Sequence, residues 1–532
     1  MSAIRLAPVT GGLYPSFVDD RSPRRPRAAR AARVVALVLG ALAGSRGAAA
    51  LPAESVVPPL RERARPLAGG QARAYRVELK RGDALFGAVV QRGIDVVVAV
   101  RDPRGGVAVE IDSPNGSDGP EPLAHVAGMA GLHVVEVRAL EAAAPAGSYD
   151  LQLEPLRSAS PRDRAVAEAL GLHSRALAWR GQALALQAQA QFRSSSALYA
   201  DARRAGGRAL EERRRALGPD HPDVAATHQV LGLIDDEVGD YASGVGHFAE
   251  ALRILEARLG ADEPGTLTTR SDLAYLRLAA GDWTGAAALF RAVDARRRQL
   301  VGPDHPSLTS GALGMGEALL RLHELEEAEA VLRRGLAIRE KEAGAGPESL
   351  AWFQIGLARV MAARGRVAEA EEACARVRAA GEAQPRSSRL RLAAAHACLG
   401  EALLQAGDAA AAVPRFQDAL RLREAAGGPR HPWVGETAAS LGRALFAAGR
   451  AGEAEKALRR ARGIQEKRLG PRHPQLAVTL HALADVLAAR GRTHEARTLY
   501  ERALAIRLAS LPAGHPAVAA ARGALQGLTG RS

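Results

Sequence analysis

A large apolar residue followed by a small one recurs every 42 residues: Leu231-Gly232, Leu273-Ala274, Met315-Gly316, Leu357-Ala358, Leu399-Gly400, Leu441-Gly442 and Leu483-Ala484. Helices approach closely only where one facing side chain is small, so the pair marks a fixed helix–helix crossing. A second set of columns keeps the same period. Gly244, Ala286, Ala328, Ala370, Ala412, Ala454 and Ala496 are small, and four residues after each come Phe248, Phe290, Leu332, Cys374, Phe416, Leu458 and Tyr500. Between the two sets stand Gly239, Gly281, Gly365, Gly407, Gly449 and Gly491, where the residue closing a helix takes positive φ. His323 fills the remaining slot, and His is among the residues that tolerate that geometry. Pro222, Pro264, Pro306, Pro432, Pro474 and Pro516 stand where a first helix opens and a missing N–H costs nothing, with Glu348 and Leu390 at the two other positions. One such two-helix unit cannot bury its apolar face alone, so the period predicts stacked helical hairpins. Aromatics at 4% agree with helices packed through small side chains.

The first 160 residues read differently. Residues 1–50 hold eight Arg and two Asp, which is +6 of the formal +14. The basic stretch Arg24-Arg25-Pro26-Arg27, the apolar run 34–43 and the small residues Ala48-Ala49-Ala50 read as a secretory signal and basic leader. That predicts an extracytoplasmic protein, periplasmic or secreted. An uncleaved membrane-proximal helix or a tail from a misassigned start, with the protein cytoplasmic, is the alternative. A run of ten is too short to span a bilayer, which takes about 20 apolar residues, and no stable membrane span is expected. Across 55–155, strand-like runs at 85–90, 96–100, 107–111 and 149–153 are broken by Asp102-Pro103, Gly105-Gly106, Pro114-Asn115-Gly116 and Ala146-Gly147. Together with the alternation of Tyr75, Val77 and Leu79, this spacing predicts a small antiparallel sandwich. Ser160-Pro161 opens a helical linker over 156–179, and Tyr199, Ala202 and Ala209 keep phase in a degenerate first repeat over 180–221.

Large–small in the first helix, small-x-x-x-bulky in the second and Gly between them resemble tetratricopeptide repeats. The 42-residue period and the Gly-Pro-x-His-Pro linkers at 218–222, 302–306, 428–432 and 470–474 resemble the kinesin-light-chain type. The resemblance implies a mainly α chain: a right-handed α-solenoid of tetratricopeptide hairpins over 222–515, preceded by the β-sandwich and followed by a half repeat and tail at 516–532. The N-terminal module is similar to the pre-peptidase sandwich of bacterial repeat proteins, many of which continue into a caspase-like peptidase. No segment here matches that peptidase, so its activity is not carried over.

The residues that invite chemistry have blander roles. His221, His305, His431, His473 and His515 each precede a helix, one per hairpin. Helices of neighbouring hairpins lie roughly 8–10 Å apart, too far for one ion whose ligands sit about 2 Å away. These histidines are expected to pack or hydrogen-bond at helix starts, and no metal or other cofactor is expected. Cys374 and Cys398 fall in core columns, so two buried thiols are the expected outcome, with a disulfide the alternative if the compartment is oxidising. No phosphate-binding Gly-rich loop is present. Arg is interspersed with Glu and stacking aromatics are few, so a nucleic-acid partner is not expected despite a pI of about 10.6.

Two residues after the core column come Glu317, Arg359, Glu401, Arg443 and Asp485, alternating in sign. They are expected to form a self-neutralising ladder of exposed pairs along the concave face, worth about 0.2–1 kcal/mol each. Partner binding on that face is assigned to Trp352, Arg321 and Tyr275. Kinesin-light-chain-type repeats carry paired Asn before the core residue; here those slots hold Gln229-Val230, Ser271-Asp272, Leu313-Gly314 and Ile355-Gly356. The function that emerges is a non-enzymatic scaffold binding a protein or peptide. The alternative is an accessory subunit whose sandwich binds an envelope component, or which serves a separately encoded peptidase.

Overall fold

The computed structural model describes residues 53–111, 118–188, 191–342, 346–383 and 389–529. The leader, the Pro114-Asn115-Gly116 turn and the last three residues lie outside the described residues. Two compact units emerge: among described residues, one holds 53–185 and 196–231, the other 186–195 and 232–529.

The first unit opens with two five-stranded sheets. One has the order β1 (Ala53–Ser55), β3 (Ala72–Leu79), β8 (Gly131–Ala139), β5 (Val96–Arg101), β6 (Val107–Ile111). The other runs β10 (Arg157–Ser158), β4 (Asp83–Arg92), β9 (Gly147–Leu153), β2 (Leu60–Leu67), with β7 (Asp118–Val126) also on β4. All pairings are antiparallel except β1 with β3, a parallel addition to the expected sandwich. Alternate residues of the facing strands, among them Val77, Val89, Val98, Val137 and Leu151, form one core. At its edge the Tyr75 and Tyr149 hydroxyls bond to each other at 2.6 Å, which satisfies two buried polar groups at once. After the sheets, α1 (Pro161–Ala188) and α2 (Phe192–Leu217) follow. Ser160 Oγ accepts the Asp163 N–H and Asp163 accepts the Ser160 N–H, a reciprocal cap. One unbroken helix carries the helical segment expected over 156–179 into the start of the degenerate repeat.

From α3 (Pro222–Val238) onward the hairpins keep strict period. They pair α3 with α4 (Tyr241–Leu259), α5 (Pro264–Ala279) with α6 (Trp283–Val301), and α7 (Leu308–Leu322) with α8 (Leu325–Glu340). Next come α9 (Pro347–Ala363) with α10 (Val367–Glu382), and α11 (Arg389–Gln405) with α12 (Ala409–Gly427). The last are α13 (Pro432–Ala447) with α14 (Ala451–Arg468), α15 (Pro474–Ala489) with α16 (Thr493–Ser510), and a single α17 (Pro516–Thr529). The large–small columns have a direct cause. A β-carbon at Gly316 would lie 2.6 Å from Leu332, at Gly400 3.0 Å from Phe416, and at Gly442 2.5 Å from Leu458. The small residue of each first helix thus receives the bulky residue 16 positions later on its partner. The corners behave as the sequence predicts, with φ between +75° and +88° at the six glycines and +65° at His323.

Within this unit the stack curls until one part meets another. His473 Nε2 donates to the Ala279 carbonyl at 3.0 Å, and His515 Nε2 to the Arg321 carbonyl at 3.1 Å. Arg468 donates to the Val238 carbonyl. A β-carbon at Gly281 would sit 2.5 Å from Pro474 Cδ, and one at Gly239 would sit 3.2 Å from Pro432 Cγ. The linkers at Pro432, Pro474 and Pro516 lie 193 residues beyond the corners Gly239, Gly281 and His323, so the contact recurs with the repeat. We call it the seam.

Candidate partner-binding site

The seam decides what the inner face can offer. Glu317 on α7 accepts from Arg321 Nε at 2.7 Å and from Arg359 on α9. Arg321 reaches across the seam to Glu436 on α13 at 3.3 Å, and Glu436 also accepts from Arg423 (3.3 Å) and Gln475 (2.6 Å). The Arg321 guanidinium lies over the Trp283 ring, 5.3 Å from its centroid, an added cation–π contact. Burial pushes the Glu317 carboxyl up, but the Arg359 and Arg321 guanidiniums outweigh it and hold the group below the usual range. For Glu436 burial wins and its carboxyl titrates above that range.

The five-residue ladder resolves into separate couples. Arg359 pairs with Glu317 and Arg443 with Glu401, each one repeat apart; Asp485 accepts from the Tyr500 hydroxyl. Burial raises the Asp485 carboxyl to about 6, against that hydrogen bond and the charges of Arg507 and Arg443. The expectation of exposed pairs is corrected, because Glu317, Arg321, Arg359 and Arg443 are all buried. Removing one partner of such a pair leaves a charge uncompensated, a loss of about 3–5 kcal/mol rather than a few tenths.

The three residues assigned to partner binding are not a surface. Trp352 is 7% exposed and Arg321 5%, and both belong to the packed interior; Tyr275 is half-buried and donates to the Ser310 carbonyl. Sequence reasoning missed Glu436 and Arg423. Glu436 was visible as the one charge in the column Ala226, Thr268, Ser310, Trp352, Ala394, Glu436, Val478. Arg423 belongs to a recurring device: Arg213, Arg297, Arg423 and Arg507 each donate to the carbonyl ten residues on, at Asp223, Ser307, Trp433 and Ala517. Each ties the end of one hairpin to the start of the next helix.

The histidines cap their helices. Nδ1 of His221, His305, His431, His473 and His515 accepts the N–H two residues on, at 3.1–3.3 Å. An accepting Nδ1 puts the proton on Nε2, which at His473 and His515 donates across the seam. The expectation of two thiols is corrected as well. Cys374 on α10 and Cys398 on α11 are joined by a disulfide, their Cα atoms 5.7 Å apart. That distance falls in the range a disulfide requires, because the columns bring a second helix against the next first helix.

An open concavity of about 670 Å³ lies elsewhere, lined by Gly449, Arg450, Glu453, Glu455, Lys456, Arg459, Arg490 and Arg492 among others. Its floor is the buried Glu455, which takes Arg459, Arg490 and Arg492 at 2.6–2.7 Å. Glu329, three periods earlier, collects Arg333, Arg364 and Arg366 likewise, so the cluster fixes hairpin spacing. At Glu455 the lining holds five cations and two carboxylates, and Arg492 also pairs with Glu495 beside it.

A stack of hairpins with satisfied cores and a polar exterior defines a helical repeat scaffold. The family model described as Tetratricopeptide repeat matches residues 182–257, 266–341, 390–467 and 436–509, and a second of the same description matches 351–376. The matches cover more than half of the sequence, and the chain belongs to the tetratricopeptide repeat family. Among solved structures, a putative kinesin light chain with nearly identical repeats from Podosopora anserina aligns at 27% identity over 38% of this chain and 96% of that one, TM-score 0.30. BtubC from P. vanneervenii aligns at 18% identity over 43% and 90%, TM-score 0.34. A pre-peptidase C-terminal domain of collagenase from Bacillus anthracis aligns at 14% identity over 20% and 100%, TM-score 0.17. No curated protein matches. No helix among the described residues is long and apolar enough to cross a membrane.

Proposed function

We propose that the chain is a non-catalytic, exported scaffold that binds a protein partner on the outside of its repeat array. What carries the reading is the family's repeat architecture combined with an inner face already filled by the protein's own charges. A partner that must not compete with the Glu317–Arg321–Glu436 network meets the outer surface instead. The surplus of cations around Glu455 favours an acidic segment there. Export is supported by the leader pattern in residues 1–50 and by the Cys374–Cys398 disulfide, since such bonds persist in oxidising compartments.

Cross-linking in cells, followed by mass spectrometry, tests the scaffold. Cross-links to a partner should concentrate on 449–492 and disappear in Arg490→Glu with Arg492→Glu. Cross-links confined to 53–158 would instead make the sandwich the binding module and the array a spacer. Export is tested separately, by alkylating the protein as cells produce it. In denaturant, which exposes these core positions, both cysteines should resist the reagent until a reductant is added, and labelling without reductant would place the chain in a reducing compartment.

A further inference from the structure

The seam has a ledge and a row of corners, and each continues past the part that is closed. The ledge consists of the His-Pro linkers and the apolar ends of the second helices. Where it is engaged, Pro432 and Pro474 are buried and Leu469 and Leu511 are half-buried. Five periods earlier, the same columns hold Leu259, 50% exposed, and Val301, 45% exposed, beside exposed Pro264, His305 and Pro306. The corners show the complementary split. Gly281 is covered by Pro474, while a β-carbon at Gly407, Gly449 or Gly491 would meet nothing within 4 Å.

We infer that a second copy of this chain docks head to tail, the Leu259–Pro306 ledge of one copy seating on the Gly449 and Gly491 corners of the next. The interface is a continuation of one the chain already makes with itself: the same columns meet, and Pro264 and Pro306 carry the spacing of Gly449 and Gly491. It covers the apolar ends Leu259, Leu300 and Val301, which otherwise stay in water. Because ledge and corner are different surfaces, the contact is heterologous, and each copy keeps a free ledge or corner for the next unless the assembly closes into a ring.

Sedimentation of the full, oxidised chain over a dilution series tests this. The weight-average mass should rise with concentration. Leu259→Asp with Val301→Asp should remain monomeric with unchanged helical circular dichroism, whereas Leu132→Asp, at an exposed leucine of the sandwich, should assemble normally. Pro306→Glu gives the same reading if the double variant loses helix. Gly449→Asn with Gly491→Asn, which keeps a residue tolerant of positive φ, should also be monomeric. Mixing ledge-deficient with corner-deficient protein should give a one-to-one complex and nothing larger. A wild type that stays monomeric throughout, ledge variants that assemble like it, or a mixture that forms no complex would each overturn the inference. So would a ledge covered only by an unrelated protein.

Discussion

His473 shows how much one side chain holds. Its Nδ1 caps α15, a bond that requires the neutral ring, and its Nε2–H ties that helix start to the end of α5, a bond that either protonation state can make. Burial is the main cause that brings its pKa down to about 4; the bond to Ala279 opposes this, and Arg321 is the charge that adds to it. An unfolded histidine titrates near 6.5. Above that pH neither state binds a proton and the contribution is complete. As pH falls from about 6.5 to about 4 the unfolded chain takes up the proton first, so stability declines, by roughly 3 kcal/mol at the limit. Asn also caps helices and does not titrate. His473→Asn should therefore lower stability at pH 7.5 yet flatten its loss between pH 6.5 and 4, as read from urea midpoints across that range. An unchanged slope would show that the ring is not neutral in the folded chain. The capping role was legible from position alone, because His-Pro precedes each helix; the second bond was not, because its partner lies 194 residues away.

At the level of elements, the columns were legible because each encodes a contact inside one hairpin or between neighbours. Gly442 and Gly463 give a controlled comparison. A methyl at Gly442 must displace Leu458, whereas one at Gly463 on α14 meets nothing within 4 Å. Gly442→Ala should lose about 1–3 kcal/mol to overpacking, and Gly463→Ala should gain up to about 1 kcal/mol of helix propensity. Opposite shifts in thermal midpoint check the pair; equal shifts would mean the columns do not mark close approach. The sandwich was read less completely. β2, Leu-Arg-Glu-Arg-Ala-Arg-Pro-Leu, is half charged and contains Pro66, and β7 carries Pro120 and Pro122. Both are tolerated because each strand pairs on one side only, β2 with β9 and β7 with β4. Helix α1 opens where Ser160-Pro161 announces it, but nothing in a 42-residue step announces its length of 28 residues.

For the array unit as a whole, the sequence carried the repeat but not its pitch. Small rotations from one hairpin to the next add up before Pro474 arrives at Gly281, and no single column records that sum. This is why the inner face was expected to be an open groove with Trp352 and Arg321 available, when both side chains are buried. The same geometry changes how the array should fail. In an open solenoid each repeat contacts only its neighbours, so damage stays local. Here α15 also holds the end of α5 through His473 and Pro474. Leu483→Ala removes a fully buried side chain from α15 and should cost about 2–5 kcal/mol. Hydrogen exchange should then quicken in α13 to α16 and also at residues 277–282, two hundred residues earlier by roughly the seam's step, while α9, which has no seam contact with α15 among the described bonds, keeps its protection. Exchange that quickens only beside Leu483 would mean that the seam contributes nothing to stability and that the stack behaves as an open solenoid.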